Sequence, residues 1–120
     1  MKIYKLAEKS IVSAYHGTSK LFKSFDRHLS AQGVLWFSTD IEKIKGEFSG
    51  ANSNKYIYSV DLAVENVAGW GEYEKLFLQH IEGKGFDSIK LDDDWVIFDP
   101  NRVTIKEIYE RQEDGNYELV

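Results

Sequence analysis

The sequence predicts an α+β domain, and three observations carry that expectation. Strand-like apolar runs outnumber helical ones along the 120 residues. Only two segments have a helical period, and they do not alternate regularly with the strands, so a doubly wound nucleotide fold is not expected. A hydrophobic fraction of 42%, one proline and no repeat, linker or low-complexity segment fit one ordered domain over residues 1–120 with a single core.

The elements follow in chain order. Residues 2–6 alternate apolar and polar side chains and predict a first strand, and residues 11–16 predict a second. Residues 33–38, GVLWFS, form a nearly continuous apolar run, as in a buried strand. Thr39-Asp40-Ile41-Glu42 has the spacing of a capping box, with Thr39 as N-cap and Glu42 three residues on. The helix it opens should run to about Phe48, before Ser49-Gly50. Residues 56–62, YIYSVDL, alternate again. A second helix over residues 73–81 would place Tyr73, Leu76, Phe77, His80 and Ile81 on one face, with Gly83 and Gly85 as its stop. Residues 95–99, WVIFD, read as another buried strand, and Val103, Ile105 and Ile108 mark the last one.

Composition excludes several chemistries. Without cysteine there is no disulfide, no thiolate zinc site and no cysteine nucleophile. The net charge is −5, with dispersed lysines and acids gathered at Asp92-Asp93-Asp94 and in the tail. That balance disfavours a nucleic-acid backbone as main partner, because phosphate binding needs clustered cations. It leaves room for a small anionic ligand held by backbone amides. The start, MKIYKLAEKS, has no apolar leader core, and no run is long enough to span a bilayer. A soluble, cytoplasmic protein is expected.

Most motif-like stretches have plain readings. Gly83-Lys84-Gly85 follows a helix and lacks phosphate-loop spacing, so it is a helix stop. No two histidines share metal-ligand spacing, and no metal is expected. His80 is expected in the core and His28 on the surface. No G-x-S-x-G elbow is present for a serine hydrolase. Asp92 and Asp93 suit a solvated turn, whereas Asp94 abuts the strand WVIFD, where a carboxylate is held rigidly. His16 stands out in AYHGTSKLF (residues 14–22), where a strand delivers an imidazole, a glycine and two hydroxyls together. Taken alone, that stretch is a turn glycine beside a histidine that closes a strand.

Three segments in order carry more than each alone: YHGTS, then GVLWFS with its helix, then DDWVIFDPNRV. The set resembles the ADP-ribosyltransferase superfamily, in the branch with a His–Tyr–Glu signature. It is most like the compact bacterial and phage forms, such as those within phage polyvalent proteins. The resemblance covers residues 11–109 and implies a compact, split β-sheet core with about two short helices.

It also implies NAD as co-substrate and transfer of ADP-ribose to a macromolecular acceptor, expected to be a protein. His16 would bind the adenine-side ribose, and Gly17 would offer its backbone to the nicotinamide carboxamide, with Thr18 and Ser19 beside it. Trp36 falls at the signature tyrosine, within a binding strand that includes Phe37 and Ser38. Phe48 would stack under the nicotinamide. Asp94 falls where the family carries its catalytic glutamate, one methylene shorter, and GFDSI (residues 85–89) resembles the turn ahead of that strand. Breaking the nicotinamide–ribose bond builds positive charge on the ribose, which a nearby carboxylate stabilises. Asp93, Glu72 and Glu74 are the other acids able to supply that group, and polymer formation is not expected. Two rival functions are an NAD glycohydrolase toxin and a catalytically inactive binding module on the same scaffold. An effector role for a phage or mobile element would follow by analogy alone.

Overall fold

A computed structural model describes residues 10–45 and 55–120. The strand expected at residues 2–6 and the ring of Phe48 lie outside the described residues. The described chain is an α+β fold. Its strands are β1 (Ser10–Thr18), β2 (Leu35–Ser38), β3 (Tyr56–Val64), β4 (Val67–Ala68), β5 (Ser88–Leu91), β6 (Asp94–Ile97), β7 (Val103–Arg111) and β8 (Tyr117–Leu119). Three short helices, α1 (Ile41–Ile44), α2 (Trp70–Lys75) and α3 (Leu78–Gly83), accompany them.

The strands form one mixed sheet in the order β4-β5-β6-β2-β1-β3-β7-β8. Only β4 and β5 run parallel; the other neighbours are antiparallel. Pairing is uneven. β1 pairs with β3 along its whole length, from Ser10↔Val64 to Thr18↔Tyr56, but meets β2 at the single pair Tyr15↔Ser38. The sheet is therefore two well-laddered halves joined at one rung.

Both apolar runs read as buried strands are buried because the β2–β6 half is covered on both faces. Leu35, Phe37, Trp95 and Ile97 join one core with Ala14, Tyr58, Val60 and Leu62. The intervening Val34 and Val96 join a second core with Ile81, Ile89 and Phe98, against which Trp36 packs, so the described chain has two cores where the sequence predicts one. Alternation along a strand sends successive side chains to opposite faces, so a continuous apolar run is what two cores require. β3 shows the other pattern: Tyr58, Val60, Leu62 and Val64 face the first core, and Ser59 and Asp61 face away from it.

Two helical expectations are corrected. The N-cap of α1 is Asp40, whose carboxylate accepts from the Glu42 amide at 3.0 Å. Thr39 is taken up elsewhere, its amide donating to the Asp93 carbonyl at 2.9 Å. The second helix is not continuous. Leu76 and Phe77 adopt extended backbone between α2 and α3. That break lets Tyr73, Leu76 and Leu78 all reach the second core, while Phe77 turns out to 73% exposure. His80 is exposed rather than buried, edge-on to the Phe77 ring at 5.6 Å. His28 is exposed, as expected. Gly85, at φ 98°, takes the left-handed conformation that closes α3.

Asp87 ties the β3–β4 turn to β5. Its carboxylate accepts from the amides of Glu65 (3.1 Å) and Asn66 (2.8 Å) and from the Ser88 hydroxyl (2.8 Å), and it lies 3.6 Å from Arg102. Its side chain is 10% exposed, so truncation leaves two backbone donors without this acceptor. Asp87→Ala should cost about 2–3 kcal/mol in urea unfolding; a loss within about 0.5 kcal/mol would show that water replaces the carboxylate.

Candidate functional site

The rung Tyr15↔Ser38 fixes what happens at the end of β1. In that register the next pairs would be His16↔Phe37 and Gly17↔Trp36, and neither forms. Instead the His16 side chain occupies the junction, with Nδ1 2.7 Å from the Trp36 carbonyl oxygen. A carbonyl only accepts, so Nδ1 carries the proton and donates. Nε2 is left to accept in the neutral ring. No buried side-chain nitrogen or oxygen among the described residues lacks a partner, so Nε2 is reached from outside rather than sealed in.

Three aromatic rings hold the imidazole: Phe25 at 5.0 Å, Phe37 at 5.5 Å and Phe22 at 6.4 Å between centroids. Burial among them lowers the His16 pKa from its ordinary 6.5, and the hydrogen bond to Trp36 opposes that shift without cancelling it. His16 is consequently a neutral hydrogen-bonding group at neutral pH.

The ring opens into a cleft of about 360 Å³. One wall is the end of β1, with His16 and Thr18; the other is the β1–β2 connection, residues 19–34, with Lys20, Phe22, Phe25 and Asp26. Leu21 and Leu29, 57% and 86% exposed, form its apolar rim. This connection is a strap with two fastenings. The Phe22 amide donates to the Tyr58 hydroxyl at 2.7 Å, and that hydroxyl donates to the Phe22 carbonyl at 2.8 Å, with the two rings stacked at 4.4 Å. Further on, Arg27 grips Glu82 of α3 through two bonds of 2.7 and 2.6 Å and donates to the Gly33 carbonyl at 3.0 Å. Gln32 and Gly33, at φ 66° and 69°, turn the strap into β2.

The remaining residues singled out in the sequence divide by face. Cross-strand partners share a face, so Tyr15, Ser38 and Asp94 form one row. His16 and Phe37, one step along, project to the other. The His16 and Asp94 side chains therefore leave the sheet on opposite faces, about 10 Å apart as counted in two strand spacings. Phe37 is 2% exposed and belongs to the core. Ser38 is buried, its hydroxyl accepting from the Asp40 amide at 3.0 Å. Trp36 lies on the Asp94 face, edge-on to Tyr73 at 6.3 Å. The Thr18 hydroxyl accepts from the Lys20 amide at 3.1 Å, and Ser19 is exposed.

Asp94 is 38% exposed and meets Lys43 of α1 at 3.2 Å. Of the other acids, Glu72 is engaged in accepting from the Gly69 amide at the start of α2, Glu74 is exposed on α2, and Asp93 sits in the exposed β5–β6 turn. Among the described residues no group of His, Cys, Asp or Glu is arranged to hold a metal ion, and no helix is long and apolar enough to cross a membrane. Sequence reasoning missed Phe22, Phe25, Tyr58, Arg27 and Lys43. The LFKSF spacing of Phe22 and Phe25 directly after YHGTS was a visible signal. The 36 residues separating Phe22 from Tyr58 hid the other half of that clamp. No protein-family profile, curated protein or solved structure matches this chain.

The lowered His16 pKa has a definite consequence for stability. Below pH 6.5 the unfolded chain binds a proton that the folded site resists, so stability is full above that value and falls as pH drops through it. Unfolding followed from about pH 7.5 to about 5.5 should show this loss, and His16→Gln should flatten it. A His16 ring titrating at or above 6.5 by NMR would contradict the assignment.

Proposed function

We propose that the protein is a mono-ADP-ribosyltransferase that uses NAD and modifies a macromolecular, most simply a protein, acceptor. The observation that carries the reading is the junction itself. The YHGTS end of β1, the Trp36–Ser38 end of β2 and the Asp94 start of β6 converge where β1 and β2 stop pairing. An elongated ligand lying across that gap would reach both faces. Its adenosine half suits the aromatic cleft under the strap, where a ribose hydroxyl can donate to neutral His16 Nε2. Its nicotinamide ribose would lie on the other face, near Trp36 and Asp94, with the Gly17 backbone at the crossing.

The chemistry asks for those groups. The C1′–N bond breaks with its electron pair leaving on nicotinamide, and C1′ becomes electron-poor. Asp94 stabilises that charge and accepts from a ribose hydroxyl. The acceptor nucleophile then bonds to C1′ and gives up its proton. Water in the acceptor's place would make the same site a glycohydrolase.

Purified protein incubated with NAD labelled in the adenylate, with and without host lysate, tests the reading. Label on a discrete macromolecule together with nicotinamide release is the expected outcome. Nicotinamide without label would make it a glycohydrolase; NAD binding without either would make it a binding module. Asp94→Ala and His16→Ala should each lower turnover by about two orders of magnitude. Full activity in both variants would overturn the site.

A further inference from the structure

Among the described residues, the charged side chain paired with Asp94 comes from α1. Lys43 Nζ lies 3.2 Å from Asp94 Oδ1, and no partner is found for Oδ2 among the described residues. The arrangement is built rather than incidental. Thr39, at the end of β2, is tied to Asp93 in the β5–β6 turn through its amide at 2.9 Å and its hydroxyl at 3.4 Å. Asp40 caps α1 directly after it. These contacts fix the start of α1 against the strand that carries Asp94.

We infer that Lys43 is the positioning residue for Asp94: it holds one carboxylate oxygen and leaves the other open toward the nicotinamide ribose. The inference rests on the transferase reading above. An aspartate at a glutamate position reaches one methylene less far, so its orientation matters more than that of the longer acid. An ammonium fixed on Oδ1 limits rotation about the side chain. The bond is one donor of three, so Lys43 retains donors as well. At 45% and 38% exposure the pair contributes little to folding, and a surface ion pair of no consequence would leave turnover unaltered when broken.

The test compares Lys43→Met and Lys43→Arg with the parent protein, using NAD turnover and calorimetric NAD binding, with circular dichroism as the check on folding. Lys43→Met should lower kcat by about 10- to 100-fold with NAD affinity changed less than about twofold, because orientation rather than binding is lost. Lys43→Arg, which keeps the cation, should recover most of that loss. An equal fall in affinity would overturn the positioning role in favour of direct contact with the NAD diphosphate. Unchanged kcat in Lys43→Met, beside an inactive Asp94→Ala, would overturn it while leaving the transferase reading intact. Turnover retained in Asp94→Ala would remove the reading and the inference together.

Discussion

The hydrogen bond from His16 Nδ1 to the Trp36 carbonyl is the constraint around which the fold is organised. A β-ladder propagates because each backbone acceptor finds the next backbone donor. Here an imidazole takes the carbonyl of Trp36, two residues past the last rung, and β1 goes on alone with β3. The same bond sets the histidine tautomer, leaving Nε2 as the face presented outward. One contact thus separates the halves of the sheet and orients the ring that lines the opening.

A wedge of this kind needs support from behind. Phe22, Phe25 and Phe37 surround the ring, and Tyr58, fully buried, supports Phe22 both by stacking and through its hydroxyl. A single phenol satisfying both the amide and the carbonyl of Phe22 does for the strap what a neighbouring strand would otherwise do. The Arg27–Glu82 pair fastens the far end to α3, where each partner's hydrogen bond shifts the other's pKa toward the charged form. The cleft is therefore walled by irregular backbone fastened at Phe22 and at Arg27.

Much of the fold was legible because it depends on local periodicity. GVLWFS and WVIFD read as buried strands, and both are covered on two faces. YIYSVDL read as alternating, and β3 alternates from Tyr58 on, although Ile57 is fully buried too. What escaped depends on contacts distant in sequence. The break at Leu76 answers to the shape of the second core, not to its own propensity, and it exposes His80. Thr39 has the chemistry of an N-cap, yet loses that position to Asp40 because Asp93, 54 residues on, claims its amide and hydroxyl. The candidate site divides in the same way: His16 and Asp94 are marked by their settings, whereas Lys43 reaches Asp94 across 51 residues and leaves no local trace.

Strand parity limits what can use this junction. His16 stands one residue along from the row of Asp94 and projects to the opposite face, so a compact ligand bound on one face touches one of them. Only a molecule long enough to cross between the strands, with one end suited to an aromatic cleft and the other to a carboxylate, engages both. The crossing point must lie beside the His16–Trp36 hydrogen bond, where ladder bonding to β2 is absent. Gly17 is the residue whose pairing with Trp36 is missing, and it carries no side chain. The proposed dinucleotide has the required asymmetry, an adenosine that stacks and a glycosidic bond that responds to charge, joined by a flexible diphosphate. Separating the sheet at its middle rung sacrifices ladder hydrogen bonds, and the full-length β1–β3 ladder holds the strand in place nonetheless.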